Sequence, residues 1–354
     1  MLGNSGKVKI GGIDTGKVLD LILTHYKSPW SMGKPFFDMV ALQRNIDFND
    51  VRVILINDGE ESRLPDELFE GYPFEVKNIT IPHGGVSRAR NAGIDASDAD
   101  WVTICDFDDS FMSRNGLHIL LTAAKDDRKV MWWSHFIEET IKPDDHSIIY
   151  IPHGRDYIFN HGKMFRRSWL VEQELRYCDK LTLHEDVYFN TLTQAVAADE
   201  QIGEIESGFY LWAWNGESVS RSFKNMLIET YNHQIRQRIA ICRQLQKRGL
   251  DEALKLSIVK TIIDGYYDFQ KADWQSKEFS KDYRKAERWY CTFLKAYGNI
   301  YRTVDPKEIA GMARCSRDYH LQCGGFLMEC ITLREFLLHM INDVKPIPEE
   351  EWDL

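Results

Sequence analysis

No apolar run in this chain approaches the ~18–20 residues needed to cross a bilayer, and the opening MLGNSGKVKIGG lacks the apolar centre of a secretory leader. Those absences point to a soluble, cytoplasmic protein. The cysteines number seven, an odd count, and Cys105, Cys178, Cys242 and Cys291 lie far apart, which argues against a disulfide framework and for reduced thiols. Cys315, Cys323 and Cys330, with His320 among them, lack the short spacing of a structural zinc site and read better as small apolar side chains. There is no internal repeat, no low-complexity tract and little proline, so a mainly disordered chain is excluded. Positive charge is also in deficit. A net charge of −10 disfavours bulk binding to duplex DNA or to an anionic membrane.

At 354 residues the chain exceeds a typical single core of roughly 100–150 residues, so one mid-sized domain and a second unit are expected. The first 110 residues alternate strand and helix patterns, which predicts an α/β fold with a mostly parallel sheet. Val18 to Thr24, Val51 to Ile56, Phe74 to Ile81 and Trp101 to Cys105 read as strands. Phe36 to Ile46, Pro65 to Phe69, Val86 to Ala96 and Leu117 to Ala124 read as helices. A hairpin is expected from Val130–Ile141 and Ser147–Ile151, turning at Pro143-Asp144-Asp145. Beyond about Ser222 strand signals vanish. Ile228, Tyr231, Ile235, Ile239, Cys242 and Leu245 recur at helical spacing and stop at Gly249, where a C-terminal cap belongs. Asp305-Pro306 and the pair Thr332/Glu335 mark two later helix starts. The expected organisation is a lead-in over 1–17, an α/β domain over 18–222, an independent helical domain over 223–345 and a frayed acidic tail over 346–354.

Gly11 to Lys17 has the glycine and lysine spacing of a phosphate-binding P-loop, but its context fails: Val18 stands where a magnesium-holding Ser or Thr belongs, and a strand follows. A stronger signal is the ordered set Asn57-Asp58-Gly59, then Gly85 to Gly93 (GVSRARNAG), then Asp106-Phe107-Asp108-Asp109. Each acidic element follows an apolar strand, so the carboxylates belong at the C-terminal rim of a parallel sheet, where open α/β folds bind ligands. A rim of acids calls for a cation, and Asp106 and Asp108 are spaced to reach one hard divalent ion once the chain bends.

In this order the set resembles the family-two glycosyltransferases of the GT-A fold. The resemblance continues through Gly162-Lys163-Met164-Phe165-Arg166, similar to an acceptor-side strand, and His184-Glu185-Asp186, similar to a Glu-Asp motif opening a helix. It implies a GT-A catalytic domain followed by an α-helical domain that supplies acceptor contacts or self-association. It further implies inverting, metal-dependent transfer from a nucleotide-diphosphate sugar, a UDP-sugar foremost, to a hydroxyl acceptor that the sequence does not identify. By matching position, Thr24, Tyr26, Asp58, Arg90 and Asp106 serve the donor nucleotide, Asp106 and Asp108 hold Mn2+ or Mg2+, and Arg221 meets the donor phosphates. Asp186 is the expected general base, with Glu185 its neighbouring competitor. Lys163, Trp212 and Trp214 are expected on the acceptor side. The alternatives are a non-catalytic nucleotide- or glycan-binding relative, or a nucleotidyltransferase of similar fold.

Overall fold

The computed structural model describes residues 16–142, 144–156, 158–216, 226–270, 280–322 and 331–352. The lead-in over 1–15, Pro143 of the expected hairpin turn, residues 217–225 with Arg221 and the expected boundary at 222, and Cys323 and Cys330 lie outside them.

Four parallel strands carry the site: β1 (Leu19–His25), β2 (Val51–Asp58), β3 (Glu75–Ile81) and β4 (Trp101–Asp106), in the order β3-β2-β1-β4. β1 and β2 read as nearly continuous apolar runs because both faces of the sheet are covered. Leu19, Leu21 and Leu23 join Val51, Val53 and Leu55 in a cluster with Phe36, Phe37 and Val40 of α1 (Trp30–Ala41). Ile22, Ile54 and Ile56 pack on the opposite side with Ala89 and Ile94 of α2 (Val86–Ala96). Strand alternation thus splits one sequence run between two cores. At the far edge from the acidic rim, Arg52 donates to both Asp20 oxygens at 2.9 and 2.7 Å, and Ser97 donates to the same carboxylate at 2.6 Å, tying the exit of α2 to the sheet.

The sheet continues past β4 through β8 (Lys163–Arg166), β6 (Met131–Ile141), β9 (Ile202–Trp212) and the two-residue β5 (Ser110–Phe111), with β7 (Ile148–His153) paired off-path to β6. β8 runs antiparallel to β4 and to β6, while β9 runs parallel to β6. Three helices complete this part: α3 (Gly116–Ala123), α4 (Arg167–Glu172) and α5 (Glu185–Val196). Two local expectations shift. α1 starts six residues before the expected Phe36 and carries Pro35 inside it, past the first turn, at the cost of one intrahelical hydrogen bond. The expected helix at Pro65 is only a short 3-10 turn, Asp66–Phe69.

Among the described residues five α-helices follow: α6 (Met226–Lys247), α7 (Asp251–Phe269), α8 (Ser280–Tyr301), α9 (Pro306–Gln322) and α10 (Leu333–Asn342). α6 closes toward Gly249, whose φ is +68°, and Thr332 and Glu335 form the reciprocal capping box at α10. The arginines of α6 are engaged within the protein. Arg238 donates to Asp264 at 2.8 Å, Arg248 donates to the Gln173 carbonyl at 2.9 Å, and Arg243 lies 4.5 Å over the Trp352 ring. The expected frayed tail is docked over residues 347–352: Ile347 is buried, its N–H donates to Thr292, and Trp352 donates to the Ile347 carbonyl.

Ile235, Ile239, Cys242 and Leu245 of α6 share one apolar cluster with Tyr188 and Leu192 of α5 and with the α2 face of the sheet. The packing gives no support to an independent helical unit. Truncation between residues 220 and 230 is therefore expected to yield aggregating protein, because it strips the cover from the apolar side of α5. A truncated fragment that sediments as a monomer and melts cooperatively would contradict the shared core.

Candidate active site

The C-terminal ends of β1, β2 and β4 open on a pocket of about 1200 Å³ that reaches across to α5. Asp58, the last residue of β2, accepts the backbone N–H groups of Gly84 and Gly85 at 2.7 and 2.9 Å, and His83 Nδ1 lies 2.9 Å from its carboxylate. Gly85 has φ +87°, a conformation glycine adopts without steric cost, so the chain can turn both amides onto Asp58 before entering α2. The His83 ring stacks on Tyr26 at 4.5 Å, and Thr24 lies on the same wall.

Inside α2, Arg90 is no solvated surface charge. Its guanidinium is buried and donates to Glu185 Oε1 at 2.6 Å and to Asp106 Oδ1 at 2.8 Å, joining the end of β4 to the start of α5. These carboxylates hold it firmly charged despite burial. Burial alone would raise the Asp106 pKa, but the Arg90 charge outweighs it and the net shift is downward.

After Asp106 the chain makes a tight turn in which the Asp109 N–H donates to the Asp106 carbonyl at 3.2 Å. Phe107 drops into the core against His25 and Trp30, at centroid distances of 4.6 and 6.4 Å, and over Gly33 of α1. A Cβ at Gly33 would fall within contact distance of that ring. Gly33→Val is therefore expected to destabilise the fold by roughly 1–3 kcal/mol through overpacking and to displace the acidic turn. Urea titration measures this, and an unchanged midpoint would refute the packing argument.

The turn also sets a second candidate beside the expected metal pair. Asp108 lines the pocket, but its Oδ2 accepts the Asn215 amide at 2.6 Å, whereas Asp109 is returned to the side of Asp106. Ligand atoms of Asp106, Asp109 and His161 lie within 4.8 Å of one another. Buried His161 Nδ1 has no hydrogen-bond partner and sits 3.5 Å from Asp109 Oδ2, and burial pushes the imidazole pKa down to about 4, leaving it neutral. Burial and the neighbouring charges of Asp106 and Asp108 push the Asp109 carboxyl up. An orphaned neutral imidazole beside crowded carboxylates fits a divalent cation. Tyr210 Oη and the Ala213 N–H already donate to Asp109, at 2.7 and 3.0 Å, and orient it.

Across the pocket, Glu185 and Asp186 open α5 directly after His184, which adopts φ +62°. Glu185 is committed to Arg90. Asp186 Oδ1 accepts only the Val187 N–H, at 2.7 Å, and no cation pairs with it among the described residues. Burial, followed by the like charge of Glu185, pushes its pKa up to about 7, with Arg90 opposing.

The family described as Glycosyl transferase family 2 matches residues 22–182, the stretch that runs from β1 almost to α5 and supplies the acidic rim. That stretch is similar to a family-two glycosyltransferase domain. The chain is 22% identical over 213 residues to EpsJ of Bacillus subtilis (strain 168), described as an uncharacterized glycosyltransferase, a match covering 54% of this chain and 61% of EpsJ. Among solved structures, S. aureus TarS superposes with a TM-score of 0.56 at 14% identity, over 84% of this chain and 53% of that one. TarS 1–349 in complex with UDP-GlcNAc gives 0.56 at 13% identity, over 86% and 92%. At such identities the likeness is one of fold: a GT-A α/β domain with a helical part behind it. Among the described residues, no helix is long and apolar enough to cross a membrane.

Of the residues that the family-two resemblance singled out, Thr24, Tyr26, Asp58, Arg90, Asp106, Asp108, Glu185, Asp186 and Trp212 all line this pocket. Lys163 does not: it is 1% exposed, its ammonium donates to the Phe159 carbonyl near Asp156, and burial pushes its pKa down to about 8. Trp214 lies beyond the end of β9, with its N–H donating to Glu139 at 3.3 Å. His161 and Asp109 were missed. The third acid of Asp106 to Asp109 was a visible signal, but His161 belongs to no local pattern.

Proposed function

We propose that this chain is an inverting glycosyltransferase that moves a sugar from a nucleotide-diphosphate sugar to an acceptor hydroxyl, with Asp186 as the general base. The observation that carries the reading is the two-sided pocket: an acidic rim of Asp58, Asp106 and Asp108 at and just past the strand ends, faced by the half-buried Asp186 carboxylate of raised pKa on α5. TarS 1–349 has been solved with UDP and with UDP-GlcNAc, which supports a UDP-sugar as donor. Asp58 meets the base, Thr24 and Tyr26 line the nucleotide pocket, and Asp106 faces the ribose. Asp186 takes the acceptor proton as the new glycosidic bond forms and the bond from the anomeric carbon to the diphosphate oxygen breaks, the electron pair leaving with the nucleotide. Arg90 holds Asp106 and Glu185 in place, so that Asp186 alone is left to accept a proton.

Asp106, Asp109 and His161 would hold a divalent ion, Mn2+ or Mg2+, which when bound offsets the negative charge of the departing diphosphate. Incubation with UDP- and GDP-sugars and either metal should release nucleotide slowly even without acceptor, and EDTA should abolish that release. Asp109→Asn should weaken the metal requirement's apparent affinity more than Asp108→Asn does, since Asp108 is turned toward Asn215. Undiminished release in excess EDTA would overturn the metal assignment, and absence of both release and UDP binding would overturn the function.

A further inference from the structure

The pocket does not stop at Asp186. It extends along α5 into a groove walled by α6 and α7, and each helix lines it with a stripe at three- and four-residue spacing. Thr191 and Gln194 continue from Asp186 along α5, Gln234 and Gln237 face them from α6, and Ser257 and Thr261 from α7. From Asp186 to Gln194 the stripe spans about 12 Å at the helical rise, longer than a single sugar ring.

Gln237 is 1% exposed, yet its carboxamide oxygen has no hydrogen-bond partner. A buried polar atom without a partner costs stability, and a rotation of the carboxamide toward the groove would let a ligand hydroxyl donate to it. The other polar groups are amides and hydroxyls together with the Lys260 ammonium, interleaved with apolar Ile241 and Leu256. Carbohydrate presents that combination, with hydroxyl edges and apolar C–H faces. The charge of the groove is mixed rather than basic, which does not suit a polyanion: the Arg238 guanidinium is bound to Asp264 at 2.8 Å, and Lys260 is offset by Asp186 and Asp199.

We infer that the groove between α5, α6 and α7 binds the acceptor, and that the acceptor is a neutral oligosaccharide whose terminal hydroxyl reaches Asp186 while its inner units lie along Gln194 and Gln237. This rests on the glycosyltransferase reading above, so the experiment separates the two. UDP binding by calorimetry and slow release of nucleotide from UDP-sugars, measured on the full chain without acceptor, test the reading alone. Transfer is then followed by mass change, with pooled UDP-sugars and neutral linear glucose, galactose, mannose and N-acetylglucosamine series, each from monosaccharide to hexasaccharide, beside their phosphorylated counterparts.

Neutral acceptors should dominate, with kcat/KM rising about ten-fold or more from monosaccharide to trisaccharide as successive hydrogen bonds are added. Gln237→Leu should lower kcat/KM for the trisaccharide about ten-fold and for the monosaccharide far less, a split that general destabilisation would not produce. Leu256→Trp, a change at the exposed groove mouth that the fold tolerates, should flatten the same length dependence. With UDP binding intact, a preference for phosphorylated acceptors, no transfer to any neutral series, or a length profile unmoved by both variants would each overturn the inference.

Discussion

Replacing Asp186 by Asn is expected to lower sugar transfer by roughly 10²–10⁴ and to leave nucleotide-diphosphate binding intact. The amide keeps the size of the side chain and its bond from the Val187 N–H, but it cannot take a proton. Glu185→Gln should behave differently, because Glu185 is bound to Arg90 and its loss disturbs position rather than proton transfer. The pH profile follows from the half-buried setting of Asp186 beside Glu185. Its pKa is raised to about 7, so kcat/KM should fall on the acid side of neutrality rather than near pH 4. Stability runs the opposite way. A carboxyl whose folded pKa lies above its unfolded value, ordinarily about 3.9, weakens the fold as pH rises through that window. Asp186→Asn should therefore melt higher than the unaltered protein at pH 8, with the gap closing toward pH 4. Calorimetry and initial rates on one preparation measure all three effects, and a transfer rate near that of the unaltered protein would remove Asp186 from the mechanism.

Arg90→Met carries the second large effect. It removes the cation shared by Asp106 and Glu185 and leaves both carboxylates without it, Glu185 nearly buried and Asp106 partly open to the pocket. Breaking such a pair typically costs about 3–5 kcal/mol. Asp106 has a depressed pKa, so the stability it gains from Arg90 is present above the ordinary carboxylate value and lost as pH falls through the depressed one. The deficit of Arg90→Met should accordingly be greatest near neutrality and shrink in acid. Urea titrations at pH 7 and pH 4, both in EDTA, test this, and a loss below about 1 kcal/mol at pH 7 would contradict the buried bridge. Arg90→Lys should recover only part of the loss, since one ammonium cannot reproduce the fork that spans two carboxylates.

The parallel strands and their acidic exits were legible because both signals are local. An apolar run such as VRVILI needs two covered faces, and an acid immediately after it has to emerge at the rim. The Glu-Asp start of α5 was legible for the same reason. What escaped depends on contacts between distant segments. Asp109 rather than Asp108 joins Asp106 because Phe107 is pulled under Gly33, some seventy residues upstream. His161 reaches the cluster only because β8 pairs with β4 and brings the loop before it to the rim. Lys163 sits on that same strand, which is buried on both faces. The docking of Trp352 and the shared core of α5 and α6 likewise leave no mark within any short window of sequence.

The anomeric configuration of the first product tests the central claim most directly. A single displacement assisted by Asp186 inverts the reacting carbon, so an α-linked donor sugar must appear as a β-linked product. Proton NMR of an acceptor captured early in the reaction reads this from the anomeric coupling constant. A β-configured product is the expected result, whereas an α-configured product would contradict the one-step mechanism and the role given to Asp186.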